Sequence, residues 1–220
     1  FFSTLQVELP NYHLDGIVAF NRIPNADIYF AADPCFKERK SHLAWWQKLS
    51  PRYRYYSQLE ATVFKDANKP ETLVLTEHEI DSFHKHYNVP KERFHLLPPG
   101  VARNTCTPEE LDRHRHELRK ELGTNDDAKV ALFVGSGFRI KGLDRALRAI
   151  DANKTKAGNF EFWVVGNGKA GSFKLLAEKT GLTVRFLGGR ADTDRFYAAA
   201  DFLLHPAYSE SAGKVLLEAL

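Results

Sequence analysis

Short apolar runs and segments of mixed polarity alternate along the chain from about residue 15. GIVAF (16–20), DIYFAA (27–32), TLVLT (72–76) and FHLL (94–97) have the pattern of buried strands, as do KVALFVGSG (129–137), FEFWVVGNG (160–168), TVRFLGG (183–189) and DFLLHP (201–206). Between the later runs, apolar positions recur at helical spacing in PEELDRHRHELRKEL (108–122), KGLDRALRAI (141–150), GSFKLLAEKT (171–180) and DTDRFYAAA (192–200). Strands alternating with helices of this length predict βαβ units and parallel sheets, an α/β fold. The stretch LLPPGVARNTCTPEE interrupts the pattern with prolines and glycine. It then offers Thr107 as an N-cap before Pro108 at the first helical position. A domain boundary is expected there, giving units 1–100 and 101–220.

Composition narrows the class. With 43% hydrophobic and 27% charged residues the chain reads as a soluble globular protein, and no run approaches the roughly 18 apolar residues that span a bilayer. Two cysteines, Cys35 and Cys106, are too few for a disulfide framework, which fits a reducing compartment. The sequence contains no methionine and opens on Phe1-Phe2, so a fragment of a longer protein is expected. The net charge of +3 is mild, so the location of the positive charge matters more than its sum.

Glycine turns follow three of the strands: GSGFRIKG (135–142), GNGKAG (166–171) and GGR (188–190). Ligands of open α/β sheets bind outside the carboxyl ends of strands, where such turns lie. GSGFRIKG is neither a dinucleotide fingerprint nor a Walker A loop. It places Lys141 at a helix start, where the macrodipole disfavours a cation by roughly 0.3–1 kcal/mol unless an anion binds there. In HPAYSESAGKVLLEAL (205–220), Glu210 and Glu218 flank Ser211, Ala212 and Gly213. On one helix those acids would stand about 12 Å apart along the axis. The N–H groups between them would form a helix mouth suited to diphosphate. A nucleoside diphosphate sugar has the matching anatomy: sugar at Glu210, diphosphate at Lys141, ribose at Glu218.

The spacing Glu210 to Glu218 after HPAYSE resembles the E-x₇-E motif of retaining glycosyltransferases of family four. GSGFRIKG is similar to that family's glycine-to-lysine turn, and VVGNG to its strand-end V-G-x-G. GFRIKGLDR, AAADFLLHPAY, RFHLLPPG and AFNRIPNADIYFAADPCF narrow the resemblance to the lipopolysaccharide-core heptose glucosyltransferases, over nearly the whole chain. The resemblance implies a GT-B architecture, two Rossmann-like domains facing a cleft, with the donor held mainly by the C-terminal one. It implies glucose transfer from UDP-glucose to a lipid-anchored core oligosaccharide, on the cytoplasmic face of the inner membrane. It also implies further structure before and after this sequence.

On the same basis Asp33, Lys141 and Glu210 are the catalytic candidates, with Asp33 facing the transferred sugar. Donor contacts are expected from Gly135, Ser136, Gly137, Arg139, Lys141, Gly166, Gly188, Arg190, Ser211, Ala212, Gly213 and Glu218, with Arg103 as a further cation. Ser136 stands where many relatives carry arginine, so either Arg139 substitutes or one phosphate contact is lost. No metal or other cofactor is expected. DTD (192–194) reads as a helix cap at Asp192 rather than a metal site, and HKH (84–86) and HRH (114–116) lack partners at a zinc spacing.

The segment 35–56 is basic and aromatic. Phe36, Lys37, Arg39, Lys40, Trp45, Trp46, Lys48, Arg52, Tyr53 and Arg54 form a set suited to an anionic membrane surface. The same chemistry serves single-stranded nucleic acid, or a helix with its aromatics packed inward. The resemblance favours the membrane and no nucleic acid. Other readings of the chain are a family-four transferase using UDP-GlcNAc or UDP-GalNAc, and a non-catalytic membrane-surface module with a nucleotide fold. A nicotinamide-dependent dehydrogenase would explain neither glutamate.

Overall fold

The computed structural model describes residues 8, 11–65, 70–101, 106–153 and 158–220. The chain divides into two compact units, Phe1–Pro99 and Gly100–Leu220.

In the first unit β1 (Val18–Ala19), β2 (Ile28–Ala31), β3 (Glu71–Val74) and β4 (Phe94–Leu96) form one parallel sheet in chain order. Among the described residues α1 (Phe36–Arg39), α2 (Pro51–Val63) and α3 (Glu77–Tyr87) accompany it. Tyr29, Val63, Phe64, Val74, Phe83 and Phe94 build its core, with Phe64 edge-on to Tyr29 at 6.0 Å. The hydrophobic pattern does not reveal α2, because its buried residues are Glu60 and Val63 while Tyr55 and Tyr56 face solvent.

In the second unit α4 (Pro108–Leu122) spans the predicted helix end to end. Its start is locally encoded. The Thr107 hydroxyl accepts from the Glu110 N–H at 3.3 Å and the Glu110 carboxylate accepts from the Thr107 N–H at 2.8 Å, a reciprocal capping box. There follow β5 (Lys129–Val134), α5 (Leu143–Asn153), β6 (Phe160–Val165), α6 (Gly171–Thr180), β7 (Thr183–Gly188), α7 (Thr193–Ala199), β8 (Phe202–Leu203) and α8 (Lys214–Glu218). The strands are parallel in the order β7-β6-β5-β8. Alternate residues of β5 enter opposite cores, Ala131 and Phe133 on one face, Val130, Leu132 and Val134 on the other. Both faces are covered, so the run is apolar from Val130 to Val134.

Three expectations change here. β8 keeps two residues of the six expected: after the Leu204 N–H reaches the Leu132 carbonyl at 2.8 Å, the chain leaves the sheet toward Pro206, which has no N–H to continue the ladder. α5 begins at Leu143, so Lys141 lies in the turn before it. α8 begins at Lys214, so Glu210, Ser211 and Ala212 belong to the preceding loop, and the helical stagger computed for Glu210 and Glu218 does not apply.

Candidate functional site

The second sheet reverses its order at β5: the chain builds outward through β6 and β7, then returns to place β8 on the other side. A crevice opens at the carboxyl ends of the two strands flanking such a reversal, because their connections depart in opposite directions. β5 leads into the turn carrying Lys141, and β8 into the loop carrying Glu210.

The glycine turns form one laced surface. The Gly135 N–H donates to the Val165 carbonyl at 2.9 Å, and the Gly166 N–H to the Gly188 carbonyl at 2.7 Å. The Asn167 N–H reaches the Ser136 hydroxyl at 3.3 Å, and the Asn167 side-chain oxygen accepts from the Gly189 N–H at 2.9 Å. A Cβ on Gly166 would stand 2.2 Å from the Gly135 carbonyl oxygen, so only glycine lets these backbones approach. Gly137 and Arg139 are exposed on the same turn.

The loop after β8 is fastened to the lysine turn. A Cβ on Gly142 would meet the Pro206 carbonyl oxygen at 2.0 Å, and its φ of +75° already favours glycine. The Tyr208 N–H donates to the Ile140 carbonyl at 2.8 Å, its hydroxyl donates to Asp144 at 2.8 Å, and the Arg145 guanidinium lies 3.5 Å from the centre of its ring. This fastening brings together the two residues singled out by sequence: the Lys141 ammonium hydrogen-bonds the Glu210 carboxylate. His205 Nε2 lies 3.1 Å from the same oxygen. Burial works to raise the Glu210 pKa, but the hydrogen bonds and charges of Lys141 and His205 outweigh it and hold the carboxyl below its usual range.

Glu218 lies on α8, where its carboxylate accepts from the Tyr197 hydroxyl at 2.9 Å and pairs with Lys214 at 3.1 Å. Burial first, then Glu218, pushes the Tyr197 phenol up, so it stays a donor. Ser211, Ala212 and Gly213 run between the acids, with Gly213 as the N-cap of α8. Arg190 is engaged: its guanidinium takes both oxygens of Asp192 at 2.9 Å and lies 5.2 Å from the Phe196 ring centre. Asp192 occupies the N-cap position of α7, yet its side chain makes no cap bond. It instead binds Arg190 and Arg195, and Arg190 above all holds its carboxyl down at about 2. Arg103 lies outside the described residues. Among the described residues no group of three or more His, Cys, Asp or Glu side chains is arranged to hold a metal ion.

In the first unit Asp33 follows β2 at its carboxyl end, its side chain 69% exposed. Arg22 reaches it at 3.6 Å. The basic aromatic segment is only partly a surface. Phe36 is buried at 6% exposure beneath Tyr53 and Tyr56, which removes it from the membrane-facing set. Lys37 sits 4.4 Å from the Tyr87 ring centre and Arg39 5.9 Å from that of Phe36. Trp45 and Trp46, 72% and 62% exposed, stand out with Leu49, Tyr55, Arg52 and Arg54, and with the half-buried Lys40 and Lys48. Among the described residues no helix is long and apolar enough to cross a membrane.

Asn167, His205, Tyr197 and Arg22 were not singled out from the sequence. Asn167, His205 and Arg22 lie inside the quoted motifs, and that adjacency was the available signal. Tyr197 and Arg22 meet their acids only through the fold.

Residues 114–220 match the family model described as glycosyl transferases group 1. The chain is 38% identical, over its whole length and 60% of the relative's, to the lipopolysaccharide glucosyltransferase WaaG of Escherichia coli strain K12. It is 34% identical to a D-inositol 3-phosphate glycosyltransferase of Corynebacterium jeikeium, over 67% of this chain and 38% of that protein. The crystal structure of WaaG superposes with a TM-score of 0.88 over 99% of this chain and 60% of that one. Sucrose-phosphate synthase from Thermosynechococcus elongatus, at 19% identity and a TM-score of 0.64 over 87% of this chain and 47% of that one, shares the fold. The two parallel α/β units are those of the GT-B fold.

Proposed function

We propose, from the match of residues 114–220 to the family model described as glycosyl transferases group 1, that the full-length protein is a retaining transferase moving glucose from UDP-glucose to a heptose of the lipopolysaccharide inner core. The observation that supports this reading is the meeting of Lys141 and Glu210 at the reversal of strand order. The donor diphosphate takes the Lys141 ammonium from Glu210. Charge building on the departing UDP is then stabilised by a cation already in place, usually the largest catalytic contribution. Glu210, kept ionised by its neighbours, turns to the sugar hydroxyls, and Glu218, steadied by Tyr197, to the ribose. Asp33 is assigned to orienting the transferred sugar.

A retaining glycosidase uses two carboxyl groups about 5 Å apart, one as nucleophile. Glu210 and Glu218 are not such a pair here, because each serves a different part of the donor. Attack instead comes from the face the diphosphate leaves, with donor phosphate assisting proton removal and no metal required. The acceptor is lipid-anchored, and the exposed tryptophans with Lys40, Lys48, Arg52 and Arg54 hold the protein on the anionic cytoplasmic face of the inner membrane.

The test is product analysis after incubating the full-length protein with UDP-sugars and truncated core oligosaccharide, with and without excess chelator. Glucose is expected on the acceptor with its anomeric configuration retained and turnover undiminished by chelator. Transfer only from UDP-GlcNAc or UDP-GalNAc would replace the donor assignment. Transfer from no UDP-sugar would overturn the enzymatic reading, and loss of turnover in chelator would overturn metal independence.

A further inference from the structure

Arg22 stands between two carboxylates of opposite character. Its Nε and Nη2 both donate to Glu60 Oε1, at 3.1 and 3.0 Å, while its Nη1 lies 3.6 Å from Asp33 Oδ2. Glu60 is 0% exposed. Both its oxygens also accept from the Phe36 N–H, at 3.0 and 2.9 Å, and Oε2 accepts from the Tyr87 hydroxyl at 2.6 Å. A second buried carboxylate, Glu79, accepts from the Cys35 N–H at 2.9 Å.

Cys35 and Phe36 follow Asp33 directly after Pro34, whose ring fixes its own φ. The backbone beyond Asp33 is therefore pinned by Glu79 and Glu60, and its exposed side chain is reached by the guanidinium that Glu60 holds. Burying a charged pair seldom adds stability over an apolar pair of the same volume. What the arrangement does supply is a cation held in one place beside the Asp33 carboxylate, at a strand end where ligands of such sheets bind. A planar guanidinium suits this task, because its fork serves both acids at once, which a lysine ammonium on a flexible stem cannot match.

We propose that Arg22 is a positioning residue for Asp33: anchored on the buried Glu60, it fixes the Asp33 carboxylate against the transferred sugar, and it acts on the reaction only through that carboxylate. The inference rests on the reading that Asp33 contacts the sugar.

The experiment is a double-mutant cycle in the full-length protein with Arg22→Gln, Arg22→Lys and Asp33→Asn, following kcat, donor KM and UDP affinity. Arg22→Gln is expected to lower kcat about tenfold or more, since a misplacement of about 1 Å costs up to about a hundredfold. Arg22→Lys is expected to fall between it and the wild type. UDP affinity stays unchanged in both, because its binding residues lie in the second unit, and neither change lowers kcat further once Asp33→Asn is present. Should Arg22→Gln fail to fold, Arg22→Lys, which keeps the buried charge paired, carries the test. Wild-type kcat in the folded Arg22 variants, or losses that multiply with that of Asp33→Asn, would overturn the inference. Near-wild-type kinetics in Asp33→Asn itself would instead remove the assignment of Asp33, and this inference with it.

Discussion

Lys141 and Glu210 are 69 positions apart yet share a hydrogen bond, so each is partly defined by the other. Removing either leaves a charge in the crevice without its partner and removes one donor contact. Lys141→Ala and Glu210→Ala are each expected to lower kcat a hundredfold or more, about 2.7 kcal/mol of transition-state stabilisation. Steady-state kinetics on the full-length protein checks this, and values near wild type for both would remove these two assignments. The sequence marks Lys141 because it closes a glycine turn at the end of an apolar run, and Glu210 because it follows the last apolar run and stands eight positions before Glu218. It leaves Arg22 unmarked, because a basic residue 11 positions before Asp33 and 38 before Glu60 looks like any solvated cation until the chain folds.

At the scale of elements, the stretch through α1 and α2 combines burial and exposure within one motif. Phe36 goes inward because α2 covers it, whereas Trp45 and Trp46 stay exposed, edge-on to each other. Full-length protein is expected to float with vesicles rich in anionic lipid at low salt, at about 1 kcal/mol per basic residue near the surface. Paired Trp45→Ala and Trp46→Ala changes are expected to weaken flotation while leaving the melting temperature unchanged, because both rings are exposed. Absence of wild-type flotation would reject the membrane surface. Elements with local signals were readable in advance: α4 has its capping box and β5 and β6 their apolar runs. β8 is short because Pro206 cannot continue the ladder, and α8 starts late because Gly213 before it is left-handed, with φ +61°.

For the molecule as a whole, acid is expected to act on both units: in the first, Glu38 is held below its usual range by Lys85 and His86, and further carboxyls are depressed in the second. Asp201, Glu161, Glu210 and Asp192 are all held below their usual range there. For Asp201, Glu161 and Glu210 burial opposes the shift, but hydrogen bonds and arginine, lysine or histidine charges prevail. For Asp192 the Arg190 bond leads. A depressed carboxyl contributes stability that is present above its unfolded pKa, near 4, and is lost as pH falls through the folded value. Glu79 in the first unit is shifted upward, first by burial, and has the opposite sign. Melting temperature is therefore expected to hold from pH 7 to about 5 and to fall progressively between about 4 and 2. Trp163 reports on the second unit, being fully buried and hydrogen-bonded to Glu161 at 3.1 Å, once Trp45→Phe and Trp46→Phe silence the exposed tryptophans. A Trp163 signal that persists unchanged to pH 2 would contradict the assignment.

The one-dimensional pattern determined the α/β class, the alternation of strand and helix in the second unit, and the positions of the glycine turns. Each of these is set by neighbours within a few residues: periodicity, caps, and the freedom of glycine at a turn. Tertiary structure alone decided that the strand order reverses at β5, that Lys141 meets Glu210, that Tyr197 holds Glu218, and that a buried glutamate turns Arg22 toward Asp33. Those are pairings between residues 11 to 69 positions apart, and they exist only because packing within each unit brings separate elements together.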